Sequence, residues 1–98
     1  MTVDEFQQAL GQNEPPGGIP PLLQALWWER RGDWERGHAI AQDETGPDAA
    51  WVHAYLHRRE GDDGNARYWY RQAGRMKSSA PLQQEWLEIV AELLGKKP

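Results

Sequence analysis

A Gly-Asp pair stands at 32–33 and again at 61–62, and the residues around it recur in phase at an offset of 29. In that alignment Ala25 falls on Ala54, Leu26 on Tyr55, Trp27 on Leu56, Trp28 on His57, Gly37 on Ala66, Ile40 on Trp69 and Ala41 on Tyr70. Small residues meet small ones and bulky residues meet bulky ones. Recurrence of this kind marks supersecondary units that cannot bury their apolar faces alone and stack to do so. Glycine closes a helix, and the aspartate after it can accept from the amides that open the next. The chain is therefore expected to be all-α, with two helix-turn-helix hairpins over about 19–43 and 47–75 inside one domain, 1–98.

Helix signals set the finer boundaries. Thr2-Val3-Asp4-Glu5 has capping-box spacing and predicts a short helix from Val3 to Leu10. The stretch 11–21, with its prolines and glycines, predicts a loop, and Pro20 or Pro21 opens the next helix, where a missing amide hydrogen costs nothing. The pattern continues with helices from Trp34 to Gln42, from Pro47 to near Glu60 and from Asp63 to Gly74. Ser78 or Ser79 is expected to cap a last helix over about 80–95. In it Leu82, Trp86, Ile89, Val90 and Leu93 form the core stripe, and Glu85, Glu88 and Glu92 the outer one.

Composition narrows the function classes. Six Trp and three Tyr predict an aromatic core, since each large ring buries roughly 150 to 250 Å². The absence of Cys excludes thiol catalysis and thiolate zinc sites, and fits a cytoplasmic setting. A net charge of −4 disfavours nucleic acid as a partner. No apolar run approaches the roughly 20 residues that span a bilayer, and the acidic start lacks the form of a secretory signal.

The second unit resembles a known family. Ala66-Arg67-Tyr68-Trp69-Tyr70-Arg71-Gln72-Ala73-Gly74 is similar to the second-helix signature of SEL-like members of the tetratricopeptide repeats, with Gln72 and Gly74 departing from it. The family's Leu-Gly-x-x-Tyr would fall on His53, Ala54 and His57, so two histidines replace a Leu and a Tyr. The strings Trp51–Arg58 and Tyr68–Arg71 are also similar to those of small proteins with no assigned activity. The tetratricopeptide resemblance implies a non-catalytic module that binds a protein or peptide and needs no cofactor. The face that would line its groove carries Trp51, Tyr55, Arg58 and Arg59 at i, i+4, i+7 and i+8, which suits an acidic peptide held across at most about 1,200 Å². Self-association through an aromatic surface is a further possibility, as is burial of Trp51 and Tyr55 in the core.

The alternative class is a metal-binding protein or enzyme centred on His53 and His57, four apart on one helix, with His38 or Asp62 as a third ligand. Ala54 stands where the metalloprotease signature has Glu, and the simpler reading packs both rings among aromatics. Arg67, Arg71 and Arg75 form a basic stripe expected to pair with Glu85, Glu88 and Glu92. There is no phosphate-binding glycine loop, and Ser78 and Ser79 read as caps rather than nucleophiles.

Overall fold

The computed structural model describes residues 1–96. Its helices are α1 (Val3–Ala9), α2 (Pro21–Arg30), α3 (Trp34–Gln42), α4 (Pro47–Arg59), α5 (Asp63–Ala73) and α6 (Leu82–Gly95), and there is no strand among the described residues. No helix is long and apolar enough to cross a membrane. Helices α2 and α3 pack as one hairpin and α4 and α5 as another, while α6 lies against α1, α2 and α4.

The two Gly-Asp turns adopt one geometry. Gly32 and Gly61 take φ of 96° and 86°, a region open to glycine at little cost. Each glycine donates three residues back, to Glu29 and Arg58, and each following aspartate donates its amide to a carbonyl five back, Trp28 and His57, at 2.9 Å. The carboxylates of Asp33 and Asp62 then accept from the amides of Arg36 and Asn65. One dipeptide thus satisfies both the end of one helix and the start of the next. At the first crossing a Cβ on Gly37 would lie 2.6 Å from the Ala25 carbonyl oxygen, so that position must be glycine. The matching Ala54 and Ala66 are both fully buried. The Thr2–Glu5 capping box forms as expected, with both of its hydrogen bonds present.

Indole N–H groups tie the elements together, as buried tryptophans require. Trp27 donates to the Ala9 carbonyl at 3.1 Å, Trp86 to Leu26 at 3.2 Å and Trp34 to Leu56 at 2.7 Å. Trp51 instead donates to the Glu85 carboxylate at 3.2 Å. Helix α4 is the centre, with every residue from Ala49 to His57 buried.

Two expectations about α6 fail. Pro81 precedes it with no side-chain cap, and the Ser78 hydroxyl accepts from the Ala80 amide instead; proline at 81 holds the chain extended there. Glu85 is not on the outer stripe but 1% exposed, because Arg58, Trp51 and Tyr70 all donate to it from the core side. Burial, followed by the Glu85 carboxylate, pushes the Tyr70 hydroxyl far above its ordinary range, so it stays a donor. Replacing Glu85 with Ala strands the Arg58 guanidinium and is expected to cost about 3 kcal/mol in urea unfolding. Replacing the exposed Glu88 should cost under about 0.5 kcal/mol. Equal midpoints for the two variants would remove Glu85 from its anchoring role.

Candidate metal centre

All three histidines of the chain meet between α3 and α4. His53 and His57 sit one turn apart on α4 with parallel rings, 2° between planes and 5.6 Å between centroids. Across the crossing, His38 of α3 stands edge-on to both, at 4.8 and 5.3 Å. The His38 and His53 Nε2 atoms are 3.1 Å apart, and one ring nitrogen from each of the three histidines lies within 4.8 Å of the others. His53 and His57 are buried and His38 is half-buried, so the group opens outward at His38.

Indoles close both ends. Trp34 stacks on His38 at 4.8 Å and 9°, and Trp69 stacks on His53 at 4.1 Å and 11°. On the third ring, His57 Nδ1 lies 2.8 Å from a Glu60 carboxylate oxygen. A neutral ring in that contact donates from Nδ1, which leaves the Nε2 lone pair free, the carboxylate–histidine arrangement that orients metal ligands.

Electrostatics keep His38 and His53 in their ligand form. Burial, then the neighbouring His38 and His57, depresses His53 from 6.5 to about 4. Burial, then His57, also lowers His38, against a smaller opposing pull from Glu60. At neutral pH both rings are therefore unprotonated, as metal ligation requires. Between two neutral rings the 3.1 Å contact holds one N–H and one lone pair.

Tetrahedral zinc with Zn–N of about 2.0–2.1 Å sets its ligand nitrogens about 3.3 Å apart. The His38–His53 separation is close to that, and a His57 ring nitrogen lies within 4.8 Å of both. A second group, His57, Glu60 and Asp62, is weaker. The Asp62 carboxylate is already committed to the Asn65 side chain and amide, and those bonds hold its carboxyl below the ordinary carboxylate range. Of the two candidates for a third ligand, it is His38 that groups with both His53 and His57, while Asp62 groups with His57 and Glu60.

The expected peptide-binding face is not an open groove wall. Trp51 is 6% exposed and Tyr55 1%, covered because α6 and α2 pack on α4. The Arg75 guanidinium lies 3.5 Å over the Trp51 ring, and the Tyr55 hydroxyl donates to Glu29 at 3.0 Å. Arg58 is held by Glu85 at 2.8 Å and by the Ala80 carbonyl, and Arg59 lies 3.3 Å from Glu29. Sequence reasoning passed over Trp34, Trp69 and Glu60 as parts of the histidine site. Two were within reach of spacing alone: Trp34 lies four before His38, and Glu60 three after His57.

No family model, curated protein or solved structure matches the chain. The site is therefore read from its own chemistry.

Depressed histidines make stability depend on pH in a fixed direction. Between 6.5 and about 4 the unfolded chain binds more protons than the folded one at His53, so metal-free protein loses stability as pH falls through that window. A His53→Gln variant should show a shallower fall between pH 7 and pH 4.5 in urea unfolding. Parallel curves for the two proteins would contradict the assignment.

Proposed function

We propose that this chain is a metal-binding protein whose His38, His53 and His57 hold one divalent transition-metal ion, zinc being the best match, without catalysis. The observation that carries the reading is the convergence of every histidine in the chain on one point between α3 and α4. Neutral imidazoles suit zinc, copper or nickel, and disfavour magnesium and calcium, which take oxygen ligands. Glu60 supports His57 from behind, while Trp34 and Trp69 exclude water from two ring faces. Three protein ligands leave a fourth position for water or a donor from outside. The ion would join the two hairpins where α3 meets α4 and stabilise the folded state by mass action.

Untagged protein titrated with zinc by calorimetry is expected to bind one equivalent with a Kd of about 1 µM or tighter. Single replacement of His38, His53 or His57 by Gln should weaken binding at least tenfold, and Glu60→Gln by about tenfold through the lost support. Zinc uptake that is absent, or that survives His53→Gln unchanged, overturns the reading.

A protein- or peptide-binding module is the second reading, and one observation favours it. Of Arg67 and Arg71 on α5 and Arg75 just beyond its end, only Arg75 finds a carboxylate among the described residues, Glu92 at 2.7 Å. Arg67 and Arg71 have no such partner among the described residues and flank the exposed Tyr68. Two free guanidiniums beside a ring suit an acidic peptide, and the matched turns are what a tetratricopeptide-like hairpin pair would display. Changing Arg67 and Arg71 together to Ala should abolish capture of a glutamate-rich peptide in low salt. Capture that persists would place the surface elsewhere.

A further inference from the structure

Two glutamates are buried whole, and their surroundings differ in one respect. Glu85 has donors on both oxygens: Arg58 reaches Oε1 at 2.8 Å, and Trp51 and Tyr70 reach Oε2 at 3.2 and 2.5 Å. Glu29, 4% exposed, accepts from the Tyr55 hydroxyl at 3.0 Å and has Arg59 Nε 3.3 Å away, but both lie on Oε1. Its Oε2 is enclosed and has no partner, the one such side-chain atom among the described residues. An acceptor left in that condition is costly, and native structures rarely keep one without a use. Burial, only partly offset by Tyr55 and Arg59, pushes the carboxyl up accordingly.

Glu29 lines a cleft of about 280 Å³ with Gly32, Trp34, Arg59 and Glu60. The cleft lies at the C-terminal ends of α2 and α4, which favour cations, and beside Trp34, the first residue of α3. Its charged lining side chains are two carboxylates, Glu29 and Glu60, and the guanidinium of Arg59, with Arg30 acting on Glu29 from outside the lining. Trp34 supplies an aromatic wall of the kind that tolerates a cation. Arg59 stands at the outer side of the cleft, its side chain 51% exposed and its Nε 3.3 Å from Oε1.

We propose that this cleft binds a protonated primary amine, with the ammonium group donating to the free oxygen of Glu29 and the alkyl chain lying along Trp34. A small cation with several N–H donors fits better than an anion, which both carboxylates repel. It also fits better than a second guanidinium, which would crowd the one already there. The entering ammonium displaces Arg59 outward and leaves the Tyr55 hydrogen bond in place. The inference does not rest on the metal reading, although Trp34 and Glu60 belong to both sites, so the test uses metal-free protein with chelator present. The amine has two possible sources, a free alkylamine or the lysine side chain of another protein.

Three probes separate these outcomes: n-butylammonium chloride, Nα-acetyl-lysine methylamide and the same compound acetylated on Nζ. Each is titrated against sodium chloride at matched ionic strength while the Trp34 indole N–H and Gly32 amide resonances are followed. Both amines should shift these signals saturably with a Kd of about 1 mM, and the Nζ-acetylated compound should not. Threefold tighter binding of the lysine compound identifies a protein side chain as the source, and equal binding identifies a free amine. Glu29→Gln should weaken the amines at least tenfold. If that variant does not fold, the contrast between free and acetylated lysine in the wild-type chain still decides. No saturable shift up to about 50 mM, or equal shifts from the acetylated probe, would mean that Glu29 Oε2 meets water only and would overturn the proposal.

Discussion

The ion pair between Arg58 and Glu85 is the contact on which the rest of the arrangement depends. A charge taken out of water must find its partners in the protein, and here the partners lie on three elements: Trp51 and Arg58 on α4, Tyr70 on α5 and Glu85 on α6. Arg58 also holds the Ala80 carbonyl, fixing the segment that leads into α6. Such a network need not exceed an apolar core in net stability. It does make most other placements of α6 expensive, because each would strand at least one buried charge or hydroxyl.

With α4 fixed on that side, its opposite face is left to α3. The close approach at Gly37 lets α3 lie tight against α2, and Trp34 reaches over to the Leu56 carbonyl at the end of α4. Those two constraints carry His38 to His53 and His57. The three rings thus sit in a frame of helix crossings and indole hydrogen bonds rather than in a loop. Side chains held on packed helices have their positions fixed more closely than side chains on a loop.

Arg59, next in sequence to Arg58, serves the other side of the molecule. On a helix, neighbours point about 100° apart, so consecutive arginines reach different partners. One goes to Glu85 of α6 and the other to Glu29 of α2. The first glutamate is saturated with donors and the second is not. That asymmetry separates an anchor from a candidate binding position, although the two residues have the same chemistry and nearly the same burial.

The sequence by itself determined the helices, their turns and their order. Glycine and aspartate act locally: Gly32-Asp33 and Gly61-Asp62 close and open helices through bonds within five residues, and the Thr2–Glu5 box does the same. The spacing of His53 and His57 is local too, and so was legible. Which face of α4 would be covered was not, because Trp51 and Tyr55 read equally well as groove or core until α6 and α2 were placed on them. The inward turn of Glu85 was hidden for the same reason: its donors lie 15, 27 and 34 residues away. His38 joined the pair on α4 only when two helices crossed. Local bonds are written in short spacings, whereas burial and convergence depend on which faces meet, and only the tertiary structure decided that.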